Sequence, residues 1–142
     1  MAGLPGWLEV ALEELQTGVA EVPGPASNPR IDTYLAGVGQ HSGDETPWCA
    51  AFADWCLTQD GWLTPKRPNA RSYLNWGKLV EPTVGAITVL WRGSPGGWQG
   101  HVAFYLDQSD ASYYLLGGNQ GDRVSVRSYP KDRLLGFRWP DS

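Results

Sequence analysis

Two cysteines and two histidines stand among 142 residues, so thiol, imidazole or soft-metal chemistry must pass through four side chains. Cys49 follows Thr46-Pro47, a capping hydroxyl and then proline at the first helical position. That pattern predicts a helix with Cys49 as its third residue. A helix start leaves backbone N–H groups unpaired and carries partial positive charge. Both effects favour a thiolate, and the same N–H groups can hold an oxyanion when that thiolate attacks a carbonyl. Position alone slightly favours the plainer reading, a small buried apolar residue. Cys56 lies seven residues later on the same face. Two turns separate the pair by about 10.5 Å. That is too far for a disulfide and unsuited to sharing one tetrahedral zinc. Cys56, among Phe52, Trp55 and Leu57, reads as core.

A cysteine nucleophile needs an imidazole to take its proton and return it to the leaving amine. His41 sits in the polar stretch Gln40 to Glu45 and reads as a solvated loop residue. His101 follows a glycine-rich connection and opens the apolar run Val102-Ala103-Phe104-Tyr105. A base at the mouth of a strand and a strand-end residue bonded to solvent fit that position equally. A third group must orient the ring. Asn119, after Gly117-Gly118, leads, with Gln120, Asp122 and Asp107 as weaker alternatives and a simple turn role for Asn119 as the bland one. Trp48, Trp91 and Trp98 could stack on a sugar. Trp98 lies in the glycine-rich loop just before His101, and Trp48 adjoins Cys49. Trp7, Trp55, Trp62, Trp76 and Trp139 read as packing residues. Arg92 reads as a solvated strand end, with contact to a substrate carboxylate as the alternative.

The elements that must position these groups change period midway. Helices are predicted from Pro5-Gly6 through Leu15, from Asn28-Pro29 to a stop near Gly37 to Gly39, and from Thr46-Pro47 to Gln59, with a short one over 69–76. Glu9, Glu13 and Glu14 are placed on the outer face of the first. Val22 to Ser27 is a breaker loop. Strands are predicted at 86–91, 101–106, 112–116, 123–129 and 134–139, spaced as successive antiparallel strands. Helices first and strands second define an α+β class in one domain over 1–142.

Composition removes other classes. A net charge of -4 argues against an electrostatic nucleic-acid binder. No apolar run approaches the roughly 20 residues that span a bilayer, so membrane insertion is not expected. Two cysteines cannot build a disulfide scaffold, and no cofactor or metal is called for.

Taken together, Thr46-Pro47-Trp48-Cys49-Ala50-Ala51-Phe52, Trp55-Cys56-Leu57, Gly100-His101-Val102-Ala103-Phe104-Tyr105 and Leu116-Gly117-Gly118-Asn119-Gln120 resemble the CHAP and NlpC/P60-type papain-like peptidases, including a compact phage-associated subgroup. The likeness runs from the Asn28-Pro29 helix to the closing Leu134 to Pro140. It implies a papain-like fold, N-terminal helices packed on a C-terminal antiparallel sheet. It also implies hydrolysis of a peptidoglycan amide, by an endopeptidase or an N-acetylmuramoyl-L-alanine amidase. Cys49 matches the nucleophile, His101 the base and Asn119 the orienting residue; Trp48 and Trp98 are the expected substrate contacts on position and aromatic character alone. Many members carry an acidic residue at the third position, which this chain lacks. Asp44 is expected to shape its loop rather than to serve the oxyanion. The alternatives are a peptidoglycan-binding module without catalysis, a papain-like acyltransferase, and a zinc site on His41, Cys49, Cys56 and His101. Met1 to Glu9 has no basic residue and no long apolar stretch, so no signal peptide is read there. The expected place of action is the periplasm or cell wall, reached through phage lysis or a secretion system. An immunity protein would accompany the second route, and the chain is expected to be a monomer.

Overall fold

Pro5 fixes the entry to the first helix, its carbonyl accepting from the Leu8 and Glu9 amides at 3.0 and 3.1 Å. The computed structural model describes residues 3–22, 28–40 and 48–141. His41, Asp44, the Thr46-Pro47 cap and most of the breaker loop therefore lie outside the described residues. Helix α1 (Gly6–Thr17) buries Trp7, Leu8 and Ala11 and ends on Gly18, whose φ of 75° is the left-handed geometry that glycine adopts freely. Helix α2 (Pro29–Gly37) starts as the sequence predicts: Asn28 caps it, accepting from the Arg30 amide at 2.8 Å. Helix α3 (Cys49–Gln59) is buried on almost every side, and Ala50, Ala51 and Ala53 are small enough to let its neighbours approach closely.

Glu14 departs from its expected outward placement. It is buried, accepts from the Tyr34 hydroxyl at 2.5 Å and pairs with Arg30 at 3.1 Å. The apolar stripe of α1 is therefore interrupted by one carboxylate whose charge is met by a phenol and a guanidinium from α2.

The expected short helix at 69–76 is a 3₁₀ turn over Ala70–Asn75. The five expected strands are present as β2 (Ile87–Trp91), β3 (Gly100–Gln108), β4 (Ser112–Gly117), β5 (Ser125–Pro130) and β6 (Leu134–Trp139). A two-residue β1 (Lys78–Leu79) was not foreseen. All pairings are antiparallel, in the order β1-β6-β2-β3-β4-β5. The last strand does not follow β5 along the edge; it returns to lie between β1 and β2. That makes β2 central and buried on both faces. Ile87 and Val89 meet the helices, while Ala86 and Leu90 join a second cluster with Ala103, Tyr105, Tyr113, Leu115 and Phe137. The arrangement is α+β and papain-like, helices followed by one antiparallel sheet.

Candidate active site

Strand β3 brings the chemistry to the sheet. Val102 and Phe104 pack toward the helices, Ala103 and Tyr105 toward the second cluster. His101 shares the parity of the latter pair. It pairs across the ladder with Leu90 and is buried, 1% exposed. Gly100 beside it leaves no room for a side chain: an added Cβ would lie 2.9 Å from the Leu90 carbonyl and 3.1 Å from Arg71.

Cys49 reaches the same place from α3. The helix begins at Cys49 with Trp48 as its cap, so the thiol sits on the first helical residue rather than the third. That brings it nearer the unpaired N–H groups. Burial pushes the thiol up. The His101 imidazole, the Val102 backbone amide and the Arg92 guanidinium more than offset this and bring it down to about 7, from an ordinary 9.0. Cys56 lacks such neighbours; burial, with the Glu14 charge, holds it well above the ordinary value. Both cysteines are free. Labelling of Cys49 by iodoacetamide should therefore rise through a midpoint near pH 7, with Cys56 unlabelled in the folded chain. A midpoint at pH 9 or above would mean that His101 and Arg92 do not hold the thiolate.

The third group on the ring is Gln120. Its side-chain amide donates to the carbonyls of Leu115 at 3.1 Å and Ser125 at 2.7 Å. Its Oε1 then faces His101 Nε2 at 2.9 Å. Since carbonyls only accept, Gln120 has one orientation, and its oxygen requires a proton on Nε2. The neutral ring is thus held with its lone pair on Nδ1. Asn119, the leading expectation, instead turns the chain: it is half-buried at φ 57°, and the hydrogen bonds on the imidazole come from Arg92 and Gln120. Asp122 likewise holds a left-handed turn at φ 62°, and Asp107 lies far along β3 opposite Tyr114.

The loop carrying Gln120 is fixed from several sides. Gly118 packs so closely on α3 that a Cβ would lie 2.6 Å from Phe52 and 2.8 Å from Trp48. The Gln120 amide donates to the Arg123 carbonyl at 3.0 Å, and the Ser125 hydroxyl to the Gln120 carbonyl at 2.7 Å. The segment after α1 pairs with the same loop, Glu21 donating to Asp122 at 2.8 Å and Val124 to Val19 at 2.9 Å. Such bracing holds the His101 ring in place before a substrate arrives.

Two residues touch the ring that the sequence reading did not place there. Arg92 Nη2 lies 3.2 Å from His101 Nδ1. Tyr129 lies against the imidazole at 5.1 Å with the rings tilted by 32°, and burial pushes its phenol up to about 12. The clue for Arg92 was its place one residue past the end of β2, within the hairpin that leads to His101.

Of the expected aromatic contacts, Trp98 is 78% exposed. Its loop is clamped by Arg71, which donates to the carbonyls of Gln99, Pro95 and Ser94 at 2.7, 2.9 and 2.8 Å. Trp48 is 2% exposed, donates to Glu21 at 3.0 Å and stacks on Tyr34. Its ring offers no open face of the kind a sugar needs, because it packs in the core between Tyr34 and Gly118. Trp91 is half-buried beneath Arg133 and bonded to the Asp132 carbonyl.

A buried thiol on a helix start, beside an imidazole on an antiparallel strand, defines the papain-like class of hydrolase. The family model for the CHAP domain matches residues 41–119, and the chain belongs to that family. Its members are typically cysteine/histidine-dependent amidohydrolases and peptidases that act on peptidoglycan at the cell wall. No curated protein matches the chain. Among the described residues, no helix is long and apolar enough to cross a membrane.

Proposed function

We propose that the chain hydrolyses an amide bond in the peptide part of bacterial peptidoglycan, with Cys49 as nucleophile and His101 as base. The observation that carries this reading is the junction of the Cys49 thiol with an imidazole whose tautomer Gln120 dictates. His101 Nδ1 takes the thiol proton, and Cys49 Sγ attacks the carbonyl carbon. The tetrahedral oxyanion rests against backbone N–H groups at the start of α3. His101 returns the proton to the departing amine, leaving a thioester on Cys49. Water, deprotonated by His101, then releases the acid and restores the thiol. In this reading Gln120, rather than Asn119, orients the ring, and Trp98 offers its exposed face to the glycan or peptide.

The bond cut is either within the stem peptide or crossbridge, or between muramic acid and L-alanine. Mass spectrometry of muropeptides after digestion of purified walls separates them: new peptide termini mark an endopeptidase, free stem peptides and bare glycan an amidase. Undigested walls that still retain the protein would instead identify a binding module, and aminated products an acyltransferase. For delivery we propose release by phage lysis or a secretion system, the latter with an immunity protein, and action as a monomeric single domain.

A further inference from the structure

The contact between Arg92 and His101 has a chemical consequence for substrate choice, on the reading that Cys49 and His101 are the catalytic pair. Gln120 fixes the proton on Nε2, so the Nδ1 lone pair is the only one the ring can offer to the thiol. Arg92 Nη2 stands 3.2 Å from that lone pair. A guanidinium only donates, so it competes with Cys49 for the same acceptor. After Nδ1 takes the thiol proton, its N–H would point at a second donor. The base can therefore complete its cycle only when the Arg92 head turns away.

Among the described residues Arg92 forms no ion pair. Its other hydrogen bonds are those of its backbone, to Gln99 and from Ser94. The side chain is half-exposed at the end of β2, in the hairpin that presents Trp98. An incoming anion can thus reach a cation that already touches the base.

We propose that Arg92 is a specificity-determining residue that captures a carboxylate of an anionic peptide substrate, and that this capture frees His101 Nδ1 to accept the Cys49 proton. The substrate class is a peptide with a free carboxylate close to the scissile amide. A bidentate match between guanidinium and carboxylate exceeds what one imidazole nitrogen returns. The exchange is therefore favourable only when the anion is present.

Purified peptidoglycan tests this in two forms, native and with its carboxylates converted to amides by carbodiimide and ammonia. The wild-type chain should release fragments from native walls faster than from amidated walls by roughly tenfold or more. In Arg92→Gln that ratio should fall to about one. Arg92→Lys, which keeps the charge but not the fork, should lie between, and it carries the comparison if Arg92→Gln does not fold by circular dichroism. Equal wild-type rates on the two forms, or an undiminished ratio in the variants, overturn the proposal. Cys49→Ala runs alongside on native walls. Release surviving there, or absent from the wild type, overturns the catalytic reading and this one with it; equal ratios beside an inactive Cys49→Ala overturn only the role of Arg92.

Discussion

Cys49→Ala is expected to reduce wall digestion by about 10⁴-fold or more while the fold is kept. No other group in the site can replace the sulfur. Cys56 lies two turns down α3, buried, with burial opposing its ionisation. The substitution itself is mild, because Ala50 and Ala51 already occupy equally buried positions beside it. A cost near 1 kcal/mol is the expected scale for losing one buried sulfur. Cys56→Ala should show a similar stability loss and keep digestion within about twofold of the wild type. Turbidity loss of purified walls, read beside thermal melts, checks both. Matching activity losses in the two variants would mean that the helix, not the thiol on its first residue, is what the substitutions disturb.

The second large effect concerns the group behind the imidazole. Gln120→Leu keeps much of the volume and removes three hydrogen bonds, those to His101, Leu115 and Ser125. Without Oε1, the proton on Nε2 loses its acceptor, and the tautomer with its proton on Nδ1 cannot act as the base toward Cys49. A loss of about 10²-fold to 10³-fold in kcat is expected, with KM little changed. Two carbonyls lose their donor, so stability should also fall by about 1–3 kcal/mol. Asn119→Gly is the matched control. Its φ of 57° suits glycine, so the loop geometry survives. Activity should stay within about threefold of the wild type if Asn119 only turns the chain. The reverse pattern, a severe loss in Asn119→Gly and a mild one in Gln120→Leu, would return the orienting role to Asn119.

That contrast marks how far the sequence could be read. The start of helix α2 was legible to the residue, because Asn28-Pro29 is a local signal and the cap bond it predicts is local too. The strands of the second half were legible from their alternation, but the place of β6 was not. Strand propensity says nothing about which neighbour a strand selects, and β6 pairs with β2 rather than with the strand just before it. Cys49 and His101 could be singled out because two cysteines and two histidines leave few combinations. Asn119 leads over Gln120 in the sequence, and nothing local reverses that order. Three residues in the left-handed region, Asn119, Gly121 and Asp122, turn that loop, and they decide which side chain points at the ring. Glu14 and Trp48 were misplaced for a common reason. Each satisfies a partner distant in sequence, Tyr34 and Arg30 for the first and Glu21 for the second, and no pattern of period 3.6 encodes such a pair.

The central claim is that Cys49 forms a covalent bond to the acyl group of the substrate, and an acid-quenched digestion tests it most directly. Wild-type protein mixed with soluble muropeptides is stopped within one turnover, digested at low pH and mapped by mass spectrometry. The mechanism predicts a peptidyl thioester on the fragment that contains Cys49, absent from Cys49→Ala. Amide cleavage with the adduct on another residue, or undiminished cleavage by Cys49→Ala, would contradict it.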